Sequence, residues 1–207
     1  MVKRQGQKKR GIPKYTRKKI ILLGVEGDNK TERHYFNHFN RLQAKYVIRF
    51  AKGNETDPVN IVANLARDIE QAGTDSFTRG DIAYAVFDTD TCQYKEAAIQ
   101  QAVRTARKAG IKIAISNPCF EVWFICHFDH CTSAFCSNRA AIQKLKTYIP
   151  EYEKNVDVFP LLFNHIEEAI HRAEYLRNMH KEQGHTRSID MNPMTDVDMI
   201  VKLLLNE

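Results

Sequence analysis

Four acidic side chains stand where apolar stretches of the chain end. Asp88 and Asp90 close the segment AYAVFDTD (83–90), which is apolar for its first five residues. Glu26 closes an earlier apolar stretch, and Glu121 follows a later one. Carboxylate oxygens are the ligands that Mg²⁺ and Mn²⁺ prefer, and paired carboxylates also act as general acids and bases. The available chemistry is that of a divalent metal site, provided that the fold brings the four acids together.

A regular alternation of strands and helices must position these acids. Apolar or alternating stretches predict four strands, at 18–27, 45–53, 81–90 and 111–116. Amphipathic stretches between them predict three helices, at 28–43, 56–73 and 94–109. This βαβαβαβ order predicts an α/β fold with a four-stranded, mainly parallel sheet flanked by helices. The first and third strands are the most continuously apolar, which predicts that they are neighbours at the centre of the sheet.

The rest of the chain is predicted to be a helical extension. Asn117 and Pro118 are suited to the cap and the first position of a helix, so a helix is predicted to begin there. Three further amphipathic stretches predict helices at 138–150, 160–180 and 195–205. In the second βα unit, Asp57 and Pro58 predict a helix start in the same way.

The predicted sheet places the acids on one edge, because ligands of open parallel sheets bind beyond the carboxyl ends of the strands. Asp88 and Asp90 are two apart, so they would point the same way, about 6 to 7 Å apart along a strand. Glu26 would join them if its strand is adjacent. Glu121 would lie in the first turn of the helix after the fourth strand. Two carboxylates 4 Å apart repel by about 4 kcal/mol at an effective dielectric of 20, so the cluster favours a bound Mg²⁺ or Mn²⁺.

Each acid also has a simpler interpretation. An acid at the end of a strand is often a helix cap or a solvated loop residue, and an acid in a first helical turn is favoured by the helix dipole. Glu32 is assigned to a helix surface. His127 is interpreted as a core or surface histidine, and Trp123 as core packing rather than a platform for stacking bases.

The net charge of +6 comes from the start of the chain. Residues 1–19 hold nine Lys or Arg and no acid, which leaves the remainder with a net charge of −3. Such an arm, predicted to be flexible, is typical of nucleic-acid backbone binding, although a solubilising terminus is the alternative. The predicted DNA- or RNA-binding residues are Lys3, Arg4, Lys8, Lys9, Arg10, Lys14, Arg17, Lys18 and Lys19.

Composition predicts a globular protein with one domain at 20–207 after the arm. Apolar residues make up 43% of the chain and charged residues 27%, and no run is long enough to cross a membrane. The basic start lacks the apolar stretch of a signal peptide, so we expect a cytoplasmic protein. Five cysteines, an odd number, without an export signal argue against a disulfide framework. The segment 126–136 could hold zinc through Cys and His, but it lacks a C-x2-C pair, and buried cysteine is the more common role.

The sequence lacks several well-known catalytic and nucleotide-binding motifs, which excludes the enzyme classes that depend on them. The segment GVEGDNKTE fits neither a P-loop nor a dinucleotide-binding loop, and no G-x-S-x-G elbow occurs. The segment VFDTDT also fits the D-x-D-x-T signature of haloacid-dehalogenase-type phosphatases, in which Asp88 would be a nucleophile and Asp90 a general acid. That family carries the motif on its first strand, whereas here it follows the third predicted strand.

With Glu26 after the first strand and Asp88-x-Asp90 after the third, the layout resembles the Toprim fold of topoisomerases, primases and related nucleases. More narrowly, the chain resembles the RloB-like family, small Toprim-type proteins of bacterial restriction and phage-defence loci. The segments that carry the resemblance cover nearly the whole chain after the arm: ILLGVEGDNKTERHYF (21–36), AYAVFDTD (83–90), GIKIAISNPCFEVWFICHF (110–128) and NPMTDVDMIVKLL (192–204). Toprim acids are often followed by glycine, whereas FDTDTCQ has none.

The resemblance implies a Mg²⁺- or Mn²⁺-dependent nuclease that hydrolyses phosphodiester bonds of DNA or RNA. Asp88, Asp90 and Glu121 would hold the metal, and Glu26 would be a ligand or the general base. Lys30 or Lys52 could steady the phosphate charge. The alternative is a non-catalytic nucleic-acid-binding or sensor subunit of a defence complex, and an ATPase-bearing partner is implied in either case by analogy.

Overall fold

The structure is a computed structural model that describes residues 17–26, 30–42, 45–90, 95–154 and 156–205. Five of its strands form one sheet in the order β2-β1-β3-β4-β5. The strands are β1 (Lys19–Gly24), β2 (Tyr46–Phe50), β3 (Ile82–Asp88), β4 (Lys112–Asn117) and β5 (Met194–Thr195). The first four are parallel to one another, and β5 pairs antiparallel with β4.

Helices flank this sheet. They are α1 (Lys30–Asn37), α2 (Pro58–Ser76), α3 (Lys95–Ala109), α4 (Glu121–Cys126), α5 (Asn138–Lys146), α6 (Phe159–Leu162), α7 (Ile166–Glu182) and α8 (Val197–Leu205). Short 3-10 helices lie at His38–Asn40, Phe163–His165 and Ser188–Asp190. The predicted start of α2 is confirmed, because Asp57 Oδ1 accepts the N–H groups of Val59 and Asn60 at 2.9 and 3.2 Å. Among the described residues, no helix combines the length and apolar character needed to cross a bilayer.

The predicted contact between the first and third strands is confirmed. β1 lies between β2 and β3, with Ile21 opposite Ile82 and Gly24 opposite Ala85. On the other side, β4 pairs with β3 as far as Asp88 opposite Ser116. The sheet has five strands rather than the predicted four. The fifth was missed because β5 has only two residues, too few for an alternating pattern.

The fourth helix begins later than predicted. Asn117 is the last residue of β4 and pairs with Met194 of β5, while its side-chain amide donates to the carbonyl oxygens of Ser188 and Ile189. The helix α4 starts only at Glu121. Asn117 therefore extends the sheet instead of capping a helix, because the antiparallel edge strand supplies a partner that the local sequence does not reveal.

The core lies on both faces of the sheet. Along β3, Tyr84 and Val86 pack into one cluster, whereas Ala83, Ala85 and Phe87 pack into the other. Helices α2 and α3 cover the second face. The first face holds an aromatic group that includes Trp123, which is fully buried as predicted. Because β3 is buried on both faces, its sequence is continuously apolar until Asp88, which lies at the carboxyl end of the strand.

Candidate functional site

Glu26 lies against Asp88, the last residue of β3, and Asp90, two residues beyond it. Its Oε1 accepts a hydrogen bond from the backbone N–H of Asp88 at 3.3 Å. The ammonium of Lys95 lies 3.4 Å from the same oxygen and also donates to Asp90 Oδ2. The contact follows from the strand order, because β1 and β3 are neighbours and their carboxyl ends share an edge. The predicted meeting of these three acids is therefore observed.

Asp88 and Asp90 have different surroundings. Asp88 ends β3, is only 5% exposed, and accepts a hydrogen bond from the backbone N–H of Phe120. Asp90 lies beyond the strand with a φ of 56°, a left-handed conformation that aspartate tolerates better than most residues. Its Oδ1 accepts from Asn138 Nδ2 at 2.5 Å, and its Oδ2 accepts from Lys95. The Asp88 carboxylate is therefore buried, whereas that of Asp90 is partly exposed. They differ because the strand ends at Asp88, so the alternation of side chains along a strand does not apply to Asp90.

Glu121 is the first residue of α4 and is buried beside this edge. Its Oε1 accepts a hydrogen bond from Tyr152 Oη at 2.9 Å. Its Oε2 is also buried and has no hydrogen-bond partner among the described residues. The negative charge of Glu121 acts on Asp88, which places the fourth predicted acid in the same group. One of its oxygens remains available to a ligand.

Glu32 belongs to the group too, which corrects its predicted surface position. It lies in α1, is 2% exposed, and its charge acts on Asp88 together with those of Glu26 and Glu121. Tyr35, Phe36 and Phe39 form the buried face of this helical segment. Glu32 precedes these residues by three, four and seven positions, so it lies on the same face. That spacing is the signal in the sequence that could have revealed it.

Burial and mutual repulsion raise the pKa values of the clustered acids. Burial is the largest cause for Asp88, whose pKa is well above its ordinary value, followed by the charges of Glu32, Glu26 and Glu121. The pKa of Glu32 rises to about 8, again chiefly through burial. For Glu26 burial raises the pKa, the Lys95 ammonium opposes the rise, and Asp90 adds to it. The cluster therefore favours binding either protons or cations.

The pH dependence of the unfolding free energy should reveal the ionisation of Glu32. The folded state keeps a proton on Glu32 up to a pKa of about 8, whereas an ordinary glutamate loses it near 4.5. Stability from this group is therefore fully present below 4.5 and is lost as pH rises toward 8. In metal-free protein, Glu32→Gln should make the fall of unfolding free energy shallower by up to about 1.4 kcal/mol per pH unit. Urea titrations at several pH values would measure this.

The matched control for this prediction is Glu168→Gln, on an exposed position of α7. It should leave the pH dependence as it is in the unaltered protein. An unchanged slope in Glu32→Gln would contradict the assignment of a raised pKa to Glu32.

Among the side chains that the structure describes, those of Lys95 and Lys154 approach the acids. Lys95 contacts Glu26 and Asp90 directly. Burial alone would lower the pKa of Lys154, but the charges of Glu121 and Asp88 raise it above its ordinary value. The backbone carbonyl of Lys154 is held by Thr31 Oγ1 at 2.5 Å.

Of the two lysines predicted to steady the phosphate, the structure describes the side chain of Lys52 alone. Lys52 is exposed, and its backbone N–H donates to Asp68 Oδ2 at 2.7 Å. No contact in the described part of the chain links Lys52 to the acids. Lys30 begins α1, and its side chain lies outside what the structure describes.

The basic arm joins the domain at the opposite edge of the sheet. Residues 1–16, with Lys3, Arg4, Lys8, Lys9, Arg10 and Lys14, lie outside the described residues. Arg17 Nη2 donates to Asp81 Oδ2 and to Thr78 Oγ1, both at 2.6 Å, so its guanidinium is held by the domain. Lys18 and Lys19 are exposed. Asp81 precedes β3 and Asp88 ends it, so the length of one strand, about 20 Å, separates the arm's attachment from the acids.

The segment 126–136 begins in the core and then reaches the surface, where Cys131 is half-buried and Cys136 exposed. Cys126 is buried, and His127 Nδ1 donates to the Trp123 carbonyl at 2.9 Å. Burial lowers the pKa of His127 to about 3. Across the described ranges, no three His, Cys, Asp or Glu side chains are arranged as ligands of a metal ion. At the acidic edge, the Lys95 ammonium lies between Glu26 and Asp90.

Comparison with known proteins gives one match. A family model described as "RloB-like protein" matches residues 21–204, which is most of the chain. No curated protein and no solved structure matches. The matched residues include all five acids that the fold gathers at the carboxyl edge of the sheet.

Proposed function

This chain belongs to the RloB-like family, and from that membership we propose that it is a divalent-metal-dependent nuclease of the Toprim type. It would hydrolyse phosphodiester bonds of DNA or RNA, in the setting of phage defence. One observation carries the proposal. Carboxylates from the segment after β1, the end of β3, α1 and α4 gather at the carboxyl edge of a parallel sheet, where this class of fold binds its ligands.

The donor atoms are of the kind that Mg²⁺ and Mn²⁺ prefer, although no three acids in the described ranges are arranged as ligands. Every acidic group at the edge offers oxygen, which selects these ions over softer metals. The buried Oε2 of Glu121 has no hydrogen-bond partner among the described residues, and burial raises the pKa values of Asp88 and Glu26. Asp88, Asp90 and Glu121 would hold the ion, with Glu26 beside them. When bound, Mg²⁺ would polarise a phosphate oxygen and lower the pKa of a water molecule.

The chain's own groups would position the reaction. Glu26 would take the proton of an attacking water, because burial raises its pKa and so makes it a better general base than an ordinary glutamate. Tyr152 holds Glu121 by a hydrogen bond, which fixes its carboxylate. Lys95 and Lys154 supply positive charge near the acids, where the developing charge of a phosphate would be stabilised.

The strand order also supports a Toprim-type rather than a dehalogenase-type site. In the Toprim arrangement, the acid after the first strand meets the pair after the third, as Glu26 meets Asp88 and Asp90 here. As a dehalogenase nucleophile, Asp88 would have to be open and ionised. Instead it is 5% exposed, and the charges of Glu32, Glu26 and Glu121 raise its pKa.

Incubation of the purified full-length chain with labelled DNA and RNA panels tests the proposal. We expect cleavage in Mg²⁺ or Mn²⁺ that EDTA abolishes. Salt-sensitive binding without cleavage, in every metal and with every substrate, would instead identify a non-catalytic nucleic-acid-binding subunit. Release of phosphate from a small phosphomonoester would support the phosphatase. Repeating the panel with an ATPase-bearing protein encoded at the same locus tests the partner that the resemblance implies.

The basic arm should supply salt-sensitive affinity. Deleting residues 1–16 removes six of the nine basic side chains of the arm and leaves Arg17 bound to Asp81. We expect weaker nucleic-acid binding at all sequences, with the slope of log affinity against log salt reduced by about 0.9 for each lost contact to a duplex phosphate. Fluorescence anisotropy at several salt concentrations would measure this. Unchanged affinity, together with an unchanged unfolding midpoint, would mean that the arm only solubilises the protein.

A further inference from the structure

Lys95 places a positive charge in the middle of the acidic edge. Its Nζ lies 3.4 Å from Glu26 Oε1 and 3.5 Å from the backbone carbonyl oxygen of Asp88, and it also contacts Asp90 Oδ2. These oxygens come from three residues on the ends of two strands. We propose that Lys95 is a built-in counterion that holds Glu26 and Asp90 together in the metal-free protein and that a divalent cation must displace. The inference rests on the proposed metal-dependent function. It adds that Lys95 regulates how readily the site binds its metal ion.

The geometry of the ammonium supports this role. An ammonium has three N–H donors and no acceptor, and here three oxygens surround it. Lys95 is the first residue of α3, and its side chain is 25% exposed. It therefore sits at the mouth of the site on a flexible stem, from which it can leave without disturbing the helix. Of the contacted groups, Glu26 and Asp90 are also among the predicted metal ligands.

Competition follows from charge. A divalent cation among the same carboxylates would be repelled by the ammonium, and both would need the same carboxylate oxygens. In the described residues no three acids are arranged as metal ligands, and the lysine contacts two of them, Glu26 and Asp90. Once displaced, the ammonium is free to bind a substrate phosphate, so substrate should favour metal loading.

The test is a direct measurement of metal binding. Lys95→Met keeps the length of the side chain and removes its charge. We expect Mn²⁺ to bind Lys95→Met at least tenfold more tightly than it binds the unaltered chain, by calorimetry without nucleic acid. In EDTA, the variant should unfold at a lower temperature, and saturating Mn²⁺ should raise its midpoint by more than it raises that of the unaltered chain.

Controls separate charge from packing. Lys108→Met, at an exposed position in the last turn of the same helix, should change neither Mn²⁺ affinity nor the unfolding midpoint in EDTA. Lys95→Arg keeps the charge and should not gain affinity. If Lys95→Met does not fold in EDTA, Lys95→Gln is compared in its place, because its amide can donate to one of the acids.

Two results overturn the inference, and they are distinguishable. Equal or weaker Mn²⁺ binding by Lys95→Met and Lys95→Gln, with measurable binding by the unaltered chain, would show that Lys95 does not compete with the metal and would leave the proposed function intact. Absence of Mn²⁺ binding by the unaltered chain and by every variant would overturn the metal-dependent function together with this inference.

Discussion

Replacement of Asp88 by asparagine should abolish cleavage and at the same time stabilise the metal-free protein. Asp88 is buried among Glu26, Glu32 and Glu121, whose charges raise its pKa after the effect of burial itself. Asparagine keeps an oxygen that can accept the Phe120 N–H but carries no negative charge. The repulsion within the cluster falls, and with it the attraction for a metal ion.

The two effects have opposite signs and are measured separately. We expect cleavage by Asp88→Asn to fall by about a thousandfold or more, the scale seen when a central group of a catalytic unit is removed. The free energy of unfolding in EDTA, from urea titration at pH 7, should rise by about 1 to 2 kcal/mol, as is usual when a site built for function is relieved of strain.

Asp81→Asn is the matched control, because Asp81 lies just before the other end of the same strand. Burial alone would raise the pKa of Asp81, but the N–H groups of Thr78 and Ile20 and the guanidinium of Arg17 outweigh it and lower the pKa. Its charge stabilises the fold at neutral pH, so Asp81→Asn should lose stability and keep cleavage. Full cleavage by Asp88→Asn would rule out the proposed site, and a loss of stability would show that the acids do not repel one another.

The sheet and the meeting of four acids were predictable because both follow from local rules. A strand buried on both faces must be apolar throughout, and parallel neighbours end at one edge. Those two facts place Glu26 beside Asp88 before any coordinates are known. The position of the Asp90 side chain was harder to predict from the sequence, because the chain leaves the strand after Asp88 and turns with a positive φ at Asp90.

The parts of the site that were not predicted depend on how helices pack against that edge. Glu32 was assigned to a helix surface, although its spacing to Tyr35 and Phe36 on the buried face of α1 indicates that it turns inward. Lys154 lies far along the chain and approaches through the hydrogen bond between its carbonyl and Thr31. Lys95 lies five residues after Asp90, and a lysine at that distance from an aspartate is too common in sequences to predict a contact. Tertiary contacts, rather than the period of the sequence, decide the positions of Lys95 and Lys154.

The edge strand beside the site depends on a buried ion pair. Arg177 of α7 donates to both carboxylate oxygens of Asp198 in α8, at 2.5 and 2.7 Å, and also to the carbonyl oxygen of Thr195 in β5. Asp198 is fully buried and Arg177 is 8% exposed. β5 in turn pairs with Ser116, which lies opposite Asp88 in the sheet. The pair therefore fastens two helices and the edge strand next to the acids.

Arg177→Met should destabilise the protein by about 3 to 5 kcal/mol, because it leaves the Asp198 carboxylate buried without its cation. The double variant Arg177→Met, Asp198→Leu should recover most of that loss, since two apolar side chains can replace a buried pair at little cost. Urea titration measures both. Lys202→Met, which removes a partly exposed partner of Glu174, is the control and should cost less than about 1 kcal/mol. A double variant as unstable as Arg177→Met would show that the other partners of Arg177, the Thr195 carbonyl and the Asp196 carboxylate, account for the loss rather than the charge of Asp198.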